Sequence, residues 1–122
     1  MNTQEVADKL IQLCREGRNV EAINELYADH VVSYEPKGSH AELTEGKAGV
    51  LDKTQQWYEM VEEVHSGTIS DPIVTGNFFT CAMDMDVTYK GMGRSEMNEI
   101  CVYEVKDGKI VSERFHYDAP EQ

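Results

Sequence analysis

The chain has 122 residues, which allows one domain (1–122) with one hydrophobic core and leaves no room for a second. Its 11 basic and 23 acidic residues give a formal charge of -12, which repels phosphate backbones and anionic lipid surfaces, so neither nucleic acid nor membrane is an expected partner. Cys14, Cys81 and Cys101 form no Cys-x-x-Cys pair, and the N-terminus carries no basic or apolar leader, so a reduced, cytoplasmic chain is expected.

Asn2 followed by Glu5 reads as a capping box, and Val6, Leu10, Leu13 and Cys14 recur at helical spacing until Gly17 ends the first helix. Asn19 is placed to cap a second helix, with Val20, Ile23, Leu26 and Tyr27 on one face. The chain then turns extended from Asp29 to Glu35. Pro36 stops that strand and restricts Glu35 to extended geometry, so the carboxylate projects from a defined strand end. Residues 36–46 read as a loop, with Thr44 placed to cap a third helix along Val50, Leu51, Thr54, Trp57, Tyr58, Val61 and Val64.

After Ser66 the period changes to that of strands, punctuated by Thr75-Gly76-Asn77, Gly91-Met92-Gly93 and Asp107-Gly108, each a hairpin signal. A three-residue loop at 91–93 pairs Lys90 with Arg94, Met85 with Glu99, Met83 with Cys101 and Cys81 with Tyr103. One face then collects Phe79, Cys81, Met83, Met85, Val87, Met97, Cys101, Tyr103 and Val105, and Glu99 is the misfit among them. Strands of about a dozen residues would run roughly 40 Å if straight, too long for the helical layer, so the sheet must bend around it. The expected class is α+β: three N-terminal helices against a strongly curved, mainly antiparallel sheet, forming a cone with a hollow wide end.

Several side chains are candidates for chemistry. Glu35 reads either as a general base raised by desolvation or as an exposed loop-edge glutamate. Glu99 reads as a second carboxyl that donates a hydrogen bond, or else as one paired with an arginine or reaching solvent at a strand end. Glu113 shares the parity of Val111, Phe115 and Tyr117 and carries the same ambiguity. A flat, mainly apolar pocket would draw on Trp57, Tyr58, Met60, Val61, Met83, Met85, Met97, Cys101, Glu113, Phe115 and Tyr117, with ordinary core as the alternative for about half of its apolar members. His116 and Asp118, two apart on a strand, suit an outer face or an interface better than a dyad. No histidine spacing suggests a metal, no Gly-rich phosphate loop suggests a nucleotide, and no cofactor is implied.

The order of elements, with Ala-Ile-Asn-Glu-Leu-Tyr-Ala-Asp-His-Val-Val-Ser-Tyr-Glu-Pro (22–36) and Val-Tyr-Glu-Val-Lys-Asp-Gly-Lys-Ile-Val-Ser-Glu-Arg-Phe (102–115), resembles the nuclear transport factor 2-like superfamily and, within it, the SnoaL-like branch. The resemblance implies a cone-shaped α+β barrel, commonly a homodimer through its sheet, in a group of isomerases, polyketide cyclases, dehydratases, epoxide hydrolases and members that only bind. Glu35 matches the general-base aspartate of the ketosteroid isomerases. The two oxyanion donors of those enzymes fall near Leu10 and Cys101, neither of them a strong donor, and the last-strand aspartate of the polyketide cyclases falls near Phe115. The implied function is binding of a small apolar ring compound. Cofactor-free isomerisation, cyclisation or dehydration by Glu35 and Glu99 would accompany it, with non-catalytic binding or dimerisation as the alternative.

Overall fold

In the computed structural model, residues 1–118 are described. Asn2 accepts from the Glu5 amide at 2.8 Å while Glu5 accepts from the Asn2 amide at 3.0 Å, and this capping box starts α1 (Thr3–Arg15). Val6, Ala7, Leu10, Ile11 and Leu13 form its buried stripe. The second helix, α2 (Asn19–Leu26), starts at the residue expected to cap it: Arg18, one position earlier, holds the cap position without a side-chain cap bond, and its guanidinium instead bonds Glu16 and Glu21. Val20 is exposed, and Tyr27 belongs to the first strand rather than to the helix.

That strand, β1 (Tyr27–Tyr34), pairs antiparallel with a short β2 (Leu43–Glu45) inside the segment expected to be loop. Thr44 lies in β2 and does not cap the third helix. Gly46 holds that position at φ 83°, a conformation that favours glycine, and its amide donates to the Val31 carbonyl at 2.7 Å. α3 (Lys47–Met60) stops before Val61 and Val64, both expected in the helix. These β-branched residues enter β3 (Val61–Ile69), where β5 (Phe78–Tyr89) offers an antiparallel ladder: Val61 pairs with Tyr89, and the Lys90 amide donates to the Met60 carbonyl at 2.9 Å. A tertiary partner here overrides a three-residue apolar spacing.

The remaining strands are β4 (Ile73–Thr75), β5 (Phe78–Tyr89), β6 (Gly93–Lys106) and β7 (Lys109–His116). The β5–β6 register differs from expectation by two residues: Tyr89 pairs with Gly93, Met85 with Met97, Met83 with Glu99 and Cys81 with Cys101. Gly93, at φ 86°, joins the strand and Lys90 leaves it. A two-residue slip preserves parity, so the inward set of side chains is the expected one. Strand order is β2-β1-β7-β6-β5-β3, with β4 on β5 and with β1 parallel to β7. The fold is therefore α+β: three helices against a curled, unclosed mixed sheet, the cone shape of the nuclear transport factor 2-like proteins.

The narrow part is solid. Phe79 stacks on Tyr103 at 4.6 Å between ring centroids, among Leu10, Leu13, Val31, Val50, Cys81, Cys101 and Ile110. Among the described residues no helix is long and apolar enough to cross a membrane.

Candidate functional site

Beyond Phe79 and Tyr103 the helical layer and the sheet diverge around a cavity of about 200 Å³. Val50, Lys53, Thr54 and Trp57 lie three, four and seven positions apart, one face of α3, and the last three reach the cavity. Met83 and Met85 enter from β5, Met97 and Glu99 from β6, Phe115 from β7, and Glu35 from just beyond the end of β1. An adjoining cleft of about 650 Å³ shares Trp57 and Met97 and is bordered by Met60, Tyr89, Met92 and Tyr117.

Glu35 is a held carboxylate. Tyr117 Oη donates to its Oε1 at 2.7 Å, and Lys53 Nζ donates to its Oε2 at 3.1 Å, in a salt bridge whose two side chains are each 19% exposed. Burial and this bond to Glu35 push the Tyr117 phenol upward, so it stays a donor at neutral pH. Lys53 Nζ also donates to Ser33 Oγ at 2.7 Å, and Ser33 Oγ donates to Glu113 Oε2 at 2.7 Å. Tyr27 Oη bonds the other Glu113 oxygen. Parallel pairing of β1 with β7 sets Ser33 opposite Glu113 and so creates this line of polar groups beneath the cavity. Burial raises the Glu113 carboxyl despite the donors that partly offset it.

Glu99 is in a different situation. Its carboxyl sits among Met83, Met85, Met97 and Phe115, and among the described residues no cation contacts it within salt-bridge distance. Its hydrogen-bonding contact is the weak Cys101 thiol donor at 3.7 Å. Burial, then the neighbouring Glu35 charge, push its pKa up to about 7. At neutral pH it is therefore protonated much of the time and able to donate a hydrogen bond.

Among the residues singled out from sequence, Glu35, Glu99, Trp57, Met83, Met85, Met97 and Phe115 line the cavity. Met60 and Tyr117 line the adjoining cleft. Three are placed elsewhere: Tyr58 packs edge-on against Trp57 with its own face toward solvent, Val61 begins β3, and Cys101 is core with only its thiol reaching Glu99. Glu113 lies under the cavity rather than in its wall. His116 is exposed on the outer side of β7. Sequence reasoning missed Lys53, Thr54, Ser33 and Tyr27. A lysine three residues after Val50 and four before Trp57, on the buried face of the helix, was the signal available for Lys53. Among the described residues, no three His, Cys, Asp or Glu side chains gather as a metal-binding set.

Comparison with known proteins places this geometry in a family. A solved structure from Mesorhizobium loti, provisionally assigned as a SnoaL-like polyketide cyclase, is 37% identical, with a TM-score of 0.90 over 96% of this chain and 100% of that one. A Bacillus subtilis protein provisionally called an isomerase is 24% identical, with a TM-score of 0.72 over 97% of this chain and 90% of that one. A Catenulispora acidiphila protein of ketosteroid isomerase-like fold, solved in complex with trimethylamine, is 18% identical, with a TM-score of 0.74 over 96% and 88%. At these lower identities the likeness is one of fold. No functionally curated protein matches the chain. Residues 1–117 match the SnoaL-like domain over nearly the whole sequence, and the chain belongs to that family.

Proposed function

We propose that this protein binds a small, largely apolar, ring-containing carbonyl compound and moves a proton on it without a cofactor, in an isomerisation, cyclisation or dehydration. Glu35 takes the proton from carbon next to the carbonyl, and Glu99 donates a hydrogen bond to the substrate. The observation that carries the reading is one apolar cavity holding two carboxyls in opposite conditions. Glu35 is ion-paired at 3.1 Å, whereas Glu99 is held up to about 7 by burial. The provisional cyclase assignment of the Mesorhizobium loti protein agrees with a proton-transfer role.

Solvent deuterium exchange tests it. Cyclic ketones and enones of one to three rings, incubated with the protein in heavy water, should gain deuterium at the carbon beside the carbonyl. Glu35→Gln should lower that rate by roughly 100-fold or more while binding changes by less than several-fold. Exchange unaffected by Glu35→Gln would remove that residue from the mechanism.

A purely binding role is the second reading, favoured by one specific observation. Leu10 and Cys101, at the positions of the isomerases' oxyanion donors, are both buried in the core. Saturable ligand binding with no exchange in any ketone would select it. We also propose self-association through the outer face of the sheet, where Phe78 and Ile100 are 48% and 47% exposed.

A further inference from the structure

Lys53 lines the cavity from α3, and its surroundings constrain where its ammonium points. One N–H donates to Ser33 Oγ at 2.7 Å and another to Glu35 Oε2 at 3.1 Å, while Glu113 Oε2, at 4.0 Å, lies beyond hydrogen-bond reach. An ammonium carries three donors. The third makes no hydrogen bond among the described residues; the nitrogen lies over the ring face of Phe115, 5.2 Å from its centroid, and that weaker cation-π contact leaves the N–H available to a stronger acceptor entering the cavity that Phe115 walls. A buried polar line of Ser33, Glu113 and Tyr27 braces the group from below, so the free donor is held in place rather than swinging in solvent.

We propose that this third N–H is the oxyanion donor of the site. The cavity then takes a single-ring, enolisable carbonyl compound with its oxygen on Lys53 and its acidic C–H toward Glu35. The assignment rests on the proton-transfer reading above.

The step balances within the cavity. Glu35 takes the proton, the C–H electron pair becomes a new C=C bond, and the carbonyl π pair moves onto oxygen. The charge that leaves Glu35 reappears on the oxygen, and Lys53 is the neighbour of both, so no net charge is created in a poorly solvated space. Return of the proton from Glu35 to a different carbon gives isomerisation; return to the same carbon gives exchange. Size sets the ring count. A cavity of roughly 150 Å³ accepts one benzene ring, and the cavity here is about 200 Å³, so a second ring must lie in the cleft beyond Trp57.

The probe is 4-nitrophenol, a planar single ring whose ionised oxygen mimics an enolate and whose colour reports ionisation. The wild-type protein should bind the coloured phenolate at least roughly 10-fold more tightly than the neutral phenol. Lys53→Met, which keeps the side-chain stem beside Phe115, should lose about 10- to 100-fold of phenolate affinity with an unchanged circular dichroism spectrum. Glu35→Gln, which imitates the protonated base, should bind phenolate at least as tightly as the wild type. Colourless bound phenol, no binding at millimolar concentration, or full phenolate affinity in Lys53→Met would each overturn the proposal. Should Lys53→Met not fold, the wild-type spectrum alone decides. Because phenolate binding breaks no C–H bond, its success alongside failed deuterium exchange would reject proton transfer only, and the reverse result would reject the Lys53 assignment only.

Discussion

Two glutamates show how environment rather than residue type sets a role. Glu99 has its pKa raised to about 7 from an ordinary 4.5, so between those values the native state holds a proton that the unfolded chain has released. Its contribution to stability is therefore present below the unfolded value and is lost as pH rises through about 7; Glu113, also raised, acts with the same sign. Glu99→Gln should leave stability near pH 5 almost unchanged and increase it by on the order of 2 kcal/mol near pH 8. Urea midpoints of wild type and variant at both pH values check this, and equal differences at the two would contradict the burial argument. Removing Glu113 does the opposite. Glu113→Ala deprives the Tyr27 and Ser33 hydroxyls of their acceptor and Lys53 of a nearby countercharge, and should cost roughly 3 kcal/mol or more in the same unfolding measurement. At this scale Glu99 was legible from its parity on an apolar strand face. Its lack of a cation was not, because partners come from elements distant in sequence.

Among the elements, local signals held where nothing distant competed with them. The capping box at Asn2 and Glu5 formed as read, and so did the Asp107-Gly108 turn, with φ of 52° and 74°. A Cβ on Gly108 would meet the Met1 carbonyl oxygen at 3.1 Å and the Met1 backbone nitrogen at 3.2 Å, on a backbone that L-residues rarely adopt. Gly108→Ala should cost about 1–2 kcal/mol, read as a lower thermal midpoint with the same far-ultraviolet spectrum. The end of α3 shows the converse. Valines at 61 and 64 fit a helical period by spacing, yet β5 supplies the ladder that draws them into β3. The β5–β6 loop was misplaced, but the two-residue slip returned every side chain to its expected face. Parity proved more robust than register.

For the molecule as a whole, curvature and edge exposure carry the consequences. The sheet's inner face is committed to the core and cavity, while its outer face carries Phe78 and Ile100, with Arg114 stacked 3.8 Å from the Tyr34 ring centroid. A dimer formed there should be broken by Ile100→Lys. Sedimentation at micromolar concentration should shift from two-chain to one-chain mass, with deuterium exchange retained because Ile100 does not line the cavity. A single-chain mass for the wild type would refute the interface.

From composition, periodicity and turn residues, the chain by itself determined three helices, a long-stranded sheet, the inward set of side chains and the strand-end placement of Glu35. All of these follow from interactions over a few residues, or from the two-residue repeat of a strand. Tertiary structure alone decided what surrounds each carboxyl. Lys53 meets Glu35 across 18 positions, Tyr117 meets it across 82, and Ser33 meets Glu113 across 80. Contacts of that span depend on the parallel pairing of β1 with β7 and on the bend of the sheet over α3, and no local propensity encodes either of them.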